Sequence, residues 1–389
     1  MTGFSFDALR RDIDVPGLAA TDATDRLLLD EAAGHLAAAP PGTVAVVGDR
    51  FGALTLGAVA LHGVVGVRTH QDLLTGERAL AANAARCGLD GTYRALPLAE
   101  AVAGAHVVLL QLPTSLDELD EIAEAVAAYA DPDVVVLAGG RVKHMTPAQN
   151  EVLARWFGHV EAHLARQKSR VVLARGPRPE AERPRRERPA RTRHDDVGLT
   201  VCAHGGVFAG TGIDIGSRFL LAHRDQLPGG ARAVLDLACG SGVLGVAVAL
   251  ARPDVHVTMT DVSASAVASA RATAAANGVA DRVDVRQDDG AASLAPASVD
   301  VVLLNPPFHQ GATVHAGIAY RLVAEAARVL RPGGELWSVW NSHLRYRPAL
   351  ERTVGPTRQA GRNPKFTVTA STRRRPGSAR PPEPAGPPS

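Results

Sequence analysis

Apolar residues recur along the chain in short unbroken runs, separated by stretches of helical period. TVAVVGDRFGALTLGAVA (43–60) combines such a run with a glycine turn and a small-residue helix, the pattern of a first strand-turn-helix unit. HVVLLQLP (106–113) and DVVVLAGG (133–140) predict further buried strands, and helical patterns cover 24–39, 73–87 and 115–130. Apolar runs of this length that alternate with helices belong to a parallel sheet covered on both faces. The rhythm restarts with AVLDLACGSGVLGVAVALA (233–251), again strand-turn-helix. Strands are predicted at 256–263, 282–289, 299–308, 335–342 and 365–371, and helices at 264–277 and 316–330, with a Pro-Gly-Gly turn at 332–334. Each half has a late strand that ends in proline, Leu112-Pro113 in one and Asn305-Pro306-Pro307 in the other, which points to a duplicated α/β fold.

Two stretches break the pattern. RGPRPEAERPRRERPARTRH (175–194) holds eight Arg, three Glu and four Pro without an apolar period, and predicts an exposed, mobile linker. The Pro- and Arg-rich tail 372–389 predicts disorder. The expected domains are therefore 1–174 and 198–371, joined by a linker at 175–197.

A length of 389 residues suits two domains, and 46 % hydrophobic with 21 % charged residues suits globular ones. A net charge of +2 gives no argument by itself for a nucleic-acid partner, and of 42 basic residues only Lys143, Lys168 and Lys365 are lysines. Cys87, Cys202 and Cys239 are odd in number and far apart, so neither a disulfide framework nor a metal site is expected, and a reducing, cytoplasmic setting is. No apolar run approaches the roughly 20 residues of a membrane span, and the N-terminus lacks a signal-peptide pattern.

The chemistry concentrates in the second half. Asp236-Leu237-Ala238-Cys239-Gly240-Ser241-Gly242 lies where a buried strand meets a helix, and in open α/β sheets ligands bind beyond the strand C-termini. Gly240 and Gly242 allow close backbone approach to a ligand, next to a helix N-terminus. Asp261 ends the next predicted strand, where a carboxylate can accept ribose hydroxyls. Asp289 ends the one after, placed for an adenine amine, and its neighbour Asp288 can exchange roles with it. Gly240, Gly242 and Gly245 keep the G-x-G-x-x-G spacing of dinucleotide sites, which alone does not decide the ligand. D-x-x-C-G-S-G resembles instead motif I of the class I methyltransferases, whose cofactor is S-adenosylmethionine.

Asn305-Pro306-Pro307-Phe308 ends the fourth strand of this half. An exocyclic amine on a nucleobase is a poor nucleophile because its lone pair is delocalised into the ring. The Asn305 side-chain carbonyl and the Pro306 backbone carbonyl can accept hydrogen bonds from its N–H groups. The prolines stiffen that turn, and Phe308 offers a stacking face. A purely structural Pro-Pro turn is the competing reading. His204–Phe208 and Thr211–Arg218 precede motif I and can close over cofactor or base, or be structural.

With these segments in hand, the chain resembles the ribosomal RNA guanine-N2 methyltransferases, and more the large-subunit than the small-subunit enzymes. The resemblance rests on VFAGTGIDIGSRF (207–219), LDLACGSGVLG (235–245), AVASAR (266–271), NPPFHQG (305–311) and NPKFTV (363–368), and more loosely on PGLAATDATDRLLLDEA (16–32) and GDRFGAL (48–54). It implies two tandem class I methyltransferase-like (Rossmann-like) domains. The N-terminal one is degenerate and recognises RNA; Arg141, Lys143 and His144, just beyond a predicted strand end, can contact phosphate there or form a solvated loop. The C-terminal one binds S-adenosylmethionine through Asp236, Ala238, Gly240, Gly242, Asp261, Asp289 and Asn305, and acts through Asn305, Pro306 and Phe308. The implied partner is ribosomal RNA or a ribosomal subunit, met by a monomer. Adenine N6, cytosine N4, a protein glutamine amide, or a non-catalytic role in assembly remain open.

Overall fold

The structure is a computed structural model that describes residues 4–11, 19–306 and 313–375. Two compact units emerge: 1–192 with 202–211 and 262–272, and 193–201 with 212–261 and 273–389.

The first unit runs α1 (Ala23–Ala38), β1 (Val44–Val47), α2 (Ala53–His62), β2 (Val67–His70), α3 (Leu74–Cys87), β3 (Tyr93–Ala95), α4 (Leu98–Val102), β4 (Val107–Gln111), α5 (Leu116–Tyr129), β5 (Val135–Arg141), α6 (Pro147–Trp156), β6 (Phe157–Ala162) and β7 (Ser169–Pro177). Its sheet has the order β3-β2-β1-β4-β5-β7-β6, and β7 is antiparallel to β5. Every residue of β1 is buried, as a central strand covered on both faces requires. Asp22 and Asp25 form a capping box that starts α1.

Two short strands, β8 (Ala190–His194) and β9 (Leu199–Ala203), form a small sheet of their own. There follow α7 (Ile215–Leu221), β10 (Ala233–Leu237), α8 (Val243–Ala251), β11 (His256–Asp261), α9 (Ala264–Ala276), β12 (Val283–Gln287), β13 (Val299–Leu304), α10 (Thr313–Val329), β14 (Leu330–Asn341), α11 (Arg347–Thr353), β15 (Thr357–Arg362) and β16 (Phe366–Thr372). The second sheet has the order β12-β11-β10-β13-β14-β16-β15, strand for strand that of the first. The fold is duplicated. Gly245 in α8 permits close helix–sheet packing, since a Cβ there would lie 2.7 Å from the Met259 Cε.

Two expectations are corrected. The stretch 175–194 is built into the fold, with 175–192 in the first unit. β7 continues to Pro177, and Arg188 donates from Nε to Glu124 at 2.9 Å and from Nη2 to Asp120 at 2.8 Å. Asp120 is buried and also accepts from the Trp156 indole at 3.0 Å, so the arginines of this stretch neutralise an interior carboxylate. The first residues of the expected tail are likewise held in place. Arg373 donates to the carbonyls of Arg328 at 2.8 Å and Leu330 at 3.0 Å, which anchors the chain beyond β16. Residues 376–389 lie outside the described residues.

Candidate functional site

The second sheet brings the motif residues to its C-terminal edge. β10 lies between β11 and β13, so Asp236, Asp261 and Asn305 come from adjacent strands. Asp236 is 1 % exposed, and its carboxylate accepts the Gly245 N–H at 2.8 Å, pinning the first turn of α8 to the strand. Burial, reinforced by the negative charge of Asp261, raises its pKa to about 7 against the pull of the Gly245 hydrogen bond. Ala238, Gly240 and Gly242 all adopt left-handed backbone, with φ of 58°, 54° and 78°. No heavy atom lies within 4 Å of where a Gly240 Cβ would stand. Asp261 accepts the Gly240 N–H at 2.9 Å, so its carboxylate is held beside this turn. Burial, then the charges of Asp261 and Asp236, pushes the Cys239 thiol well above its ordinary pKa, so it stays neutral and is no nucleophile. An open, strained glycine turn with a carboxylate at the next strand end fits the amino-acid and ribose parts of S-adenosylmethionine.

β12 ends in two acids with different surroundings. Asp288 is buried and accepts the Ser293 N–H at 2.8 Å, whereas Asp289 pairs with Arg321 at 2.9 Å.

Asn305 follows directly on β13. Its Nδ2 donates to Asp214 and to the Ser217 hydroxyl, both at 2.9 Å. Because a carboxylate only accepts, the amide nitrogen must face Asp214, and the carbonyl Oδ1 turns the other way. Asp214 is also the N-cap of α7 and accepts the N–H groups of Gly216 and Ser217. A Cβ on Gly216 would stand 2.9 Å from the Asp214 carboxylate and 3.4 Å from both the Asn305 Oδ1 and the Phe366 ring, so glycine leaves room for them. Phe366 therefore belongs to the site. Its NPKF segment carries the family resemblance without itself suggesting this role. Pro306 is buried, and Phe308 lies outside the described residues.

The first unit carries the same frame without the same groups. Register places Val46 where the second unit has Asp236, Gln71 where it has Asp261, and Gln111 where it has Asn305. Gln111 donates to Asp25, which stands at the third position of α1 as Ser217 does in α7. A Cβ on Gly52 would lie 2.6 Å from Leu80 Cδ1, and the same register puts Arg50 where the second unit has the open Gly240. His204 is held by Glu121 at 2.6 Å within this unit, which favours the structural reading for it. Arg218 pairs with Asp196 in the second unit. No metal-binding cluster is found among the described residues.

This fold and site define a tandem class I methyltransferase with one complete motif set and one degenerate copy. Residues 198–370 match the Methyltransferase small domain family and residues 9–178 the RLMG N-terminal domain family. Ribosomal RNA large subunit methyltransferase G of Streptomyces coelicolor is 40 % identical over 361 residues, covering 90 % of this chain and 93 % of that one. The protein of the same name from Pseudomonas aeruginosa is 39 % identical, covering 90 % and 92 %. Among solved structures, the T. thermophilus 16S rRNA N2 methyltransferase RsmC, determined with AdoMet and guanosine, superposes with a TM-score of 0.72 at 23 % identity, covering 93 % of this chain and 97 % of that one. The chain belongs to the ribosomal RNA large subunit methyltransferase G family.

Proposed function

We propose that the chain transfers the methyl group of S-adenosylmethionine to the exocyclic N2 amine of a guanine in large-subunit ribosomal RNA, acting as a monomer in the cytoplasm. The observation that carries this reading is the hold on Asn305, whose nitrogen is engaged by Asp214 and Ser217. The carbonyl is thereby presented one strand away from the turn 238–242. The bound cofactor supplies an electrophilic methyl carbon. In this reading the turn 238–242, shaped by Asp236, takes the amino-acid part, Asp261 the ribose and Asp289 the adenine amine. The Asn305 Oδ1 and the Pro306 carbonyl accept the N–H groups of the target amine, which directs its lone pair toward the methyl and lowers the cost of the positive charge that develops on nitrogen. The proton leaves after transfer, so no strong base is required. Phe308 supplies the face on which the base stacks.

The test is radiolabelled methyl transfer to ribosomal RNA and subunits from a strain lacking the gene, followed by nucleoside analysis. N2-methylguanosine that the wild type makes and Asn305→Ala does not, with S-adenosylmethionine binding retained within severalfold by calorimetry, is the expected result. A different methylated nucleoside, or unchanged ribosomal RNA with a methylated protein glutamine, overturns the base assignment. Loss of cofactor binding in Asn305→Ala overturns the role given to Asn305.

A further inference from the structure

Lys143, Lys168 and Lys365, the three lysines of the chain, fall on one corner of the duplicated fold. In the second unit this corner is made by the turn after β14 and the turn between β15 and β16. The Ser342 N–H donates to the Lys365 carbonyl at 2.8 Å, and the Ser342 and Thr367 hydroxyls are 2.9 Å apart. The Asn363 side chain accepts the N–H groups of Lys365 at 2.9 Å and Phe366 at 2.7 Å. The first unit repeats the arrangement. The Val142 N–H donates to the Lys168 carbonyl at 3.0 Å, and Arg141 pairs with Ser169 as Asn341 does with Phe366. Each corner contains a left-handed cationic residue, Lys168 with φ 62° and Arg345 with φ 49°. Such backbone in a residue other than glycine is costly and marks positions worth a functional question.

Among the described residues, exposed cations without an ion pair also occur singly elsewhere, as at Arg94, Arg175, Arg185 and Arg352, whereas at the corners they share braced turns. Arg232, Arg286, Arg321, Arg331 and Arg358 of the second unit all pair with acids. Lys143, Lys168, Arg345, Arg362 and Lys365 are exposed, and like the half-buried Arg141 they take part in no ion pair among the described residues. Uncompensated cations on braced turns are a site for a polyanion. In the second unit the corner adjoins the acceptor, because Phe366 follows Lys365 and flanks Gly216 together with the Asn305 Oδ1.

We propose that each unit's lysine-bearing corner binds the phosphodiester backbone of the RNA substrate, and that the second corner holds phosphates next to the nucleotide presented to Asn305. The proposal rests on the RNA methyltransferase reading above. Its test reads RNA binding separately from methyl transfer, with deproteinised large-subunit ribosomal RNA from the gene-deleted strain as the probe. Retention is measured across roughly 50–200 mM salt. The triples Arg141→Gln/Lys143→Gln/Lys168→Gln and Arg345→Gln/Arg362→Gln/Lys365→Gln should each lower the slope of log affinity against log salt by about 2, since each phosphate contact contributes ~0.7 on single strands. Arg232→Gln/Arg331→Gln removes charge from the opposite edge of the second sheet and should leave the slope nearly unchanged. Circular dichroism melts report folding. Should a triple melt early, the single variants Lys143→Gln, Lys168→Gln and Lys365→Gln carry the test, at ~0.7 each. An unchanged slope in either corner's variants, or an equal fall in the control, overturns the proposal. Wild type that methylates ribosomal RNA while both triples keep its slope sinks the corners and leaves the reading standing. Slopes that fall in both triples, while the wild type transfers no methyl to this RNA, do the reverse.

Discussion

Asn305 is oriented by two acceptors of unequal strength, the Asp214 carboxylate and the Ser217 hydroxyl, each 2.9 Å from its nitrogen. Hydrogen bonds to charged groups are stronger than neutral ones, so Asp214 dominates the hold. Asp214→Ala should lower the single-turnover methyl-transfer rate by at least about tenfold, since removing a preorganised group outright costs ~100- to 1000-fold and a misaimed acceptor loses part of that. It should also cost about 1 kcal/mol of stability through the lost N-cap of α7. Ser217→Ala should cost only about fivefold in rate, near the ~1 kcal/mol of one neutral hydrogen bond. A larger loss in Ser217→Ala than in Asp214→Ala would reverse this ranking. The degenerate unit offers a residue-level test of its own. Burial raises the pKa of Asp25 to about 7, against the pull of the Asp22 backbone hydrogen bond. The unfolded chain, with an ordinary carboxyl, therefore ionises first as the pH rises. The wild type should lose stability from this group by about 1.4 kcal/mol per pH unit between about pH 4 and pH 7, and no further above that. Urea unfolding at pH 5 and 7 should show Asp25→Asn gaining on the wild type as pH rises, and parallel curves would remove Asp25 from the account.

The strand-to-helix turns after β1 and β10 show how one element serves two ends. Gly52 and Gly242 cap α2 and α8 with φ of 89° and 78°, so both turns need a residue free of the left-handed penalty. Leu80 and Leu56 crowd Gly52, while Gly240, two residues before the second cap, has open space. Gly52→Ala should therefore destabilise the protein by about 2–4 kcal/mol through overpacking added to strain. Gly240→Ala should cost about 1 kcal/mol, with its main effect on cofactor affinity by calorimetry. Equal stability losses in denaturant unfolding would show that the two turns are packed alike. The main strands, the turn 236–242 and Asn305 were legible in the sequence because each is a local signal of apolar run, glycine and acid. The partners of Asn305 lie 88 and 91 residues upstream, and no local pattern announces them. For the same reason 175–194 reads as a mobile linker. Its composition is that of a solvated segment, and the carboxylates of Asp120, Glu121 and Glu124, more than 60 residues away, hold Arg188 in place. β3, with only one of its three residues better than exposed, gives no apolar run to read.

Duplication raises the question of how many cofactor sites the molecule has. The two sheets share strand order and register, so fold alone would allow two. The groups decide otherwise. Where the second unit has Asp261 beside its turn, the first has Gln71, buried and so close to α3 that a Cβ on Gly76 would lie 2.8 Å from its amide carbon. Where the second has Asp236, the first has Val46, and its turn is instead tied down by Asp49, which accepts the N–H groups of Gly52 at 3.0 Å and Thr55 at 2.7 Å. A ribose would meet the Gln71 amide in place of the Asp261 carboxylate, and the cofactor's amino-acid part would meet Arg50 in place of Gly240. Isothermal titration should therefore give one S-adenosylmethionine per chain, and Asp261→Ala should abolish nearly all of the binding heat while leaving the melt of the first unit in place. A stoichiometry of two, or substantial heat remaining in Asp261→Ala, would mean that the first unit retains a site despite these substitutions. One site per chain leaves the first unit's frame free of cofactor, and the RNA-binding role proposed for it is what the salt dependence of the Lys143 and Lys168 corner measures.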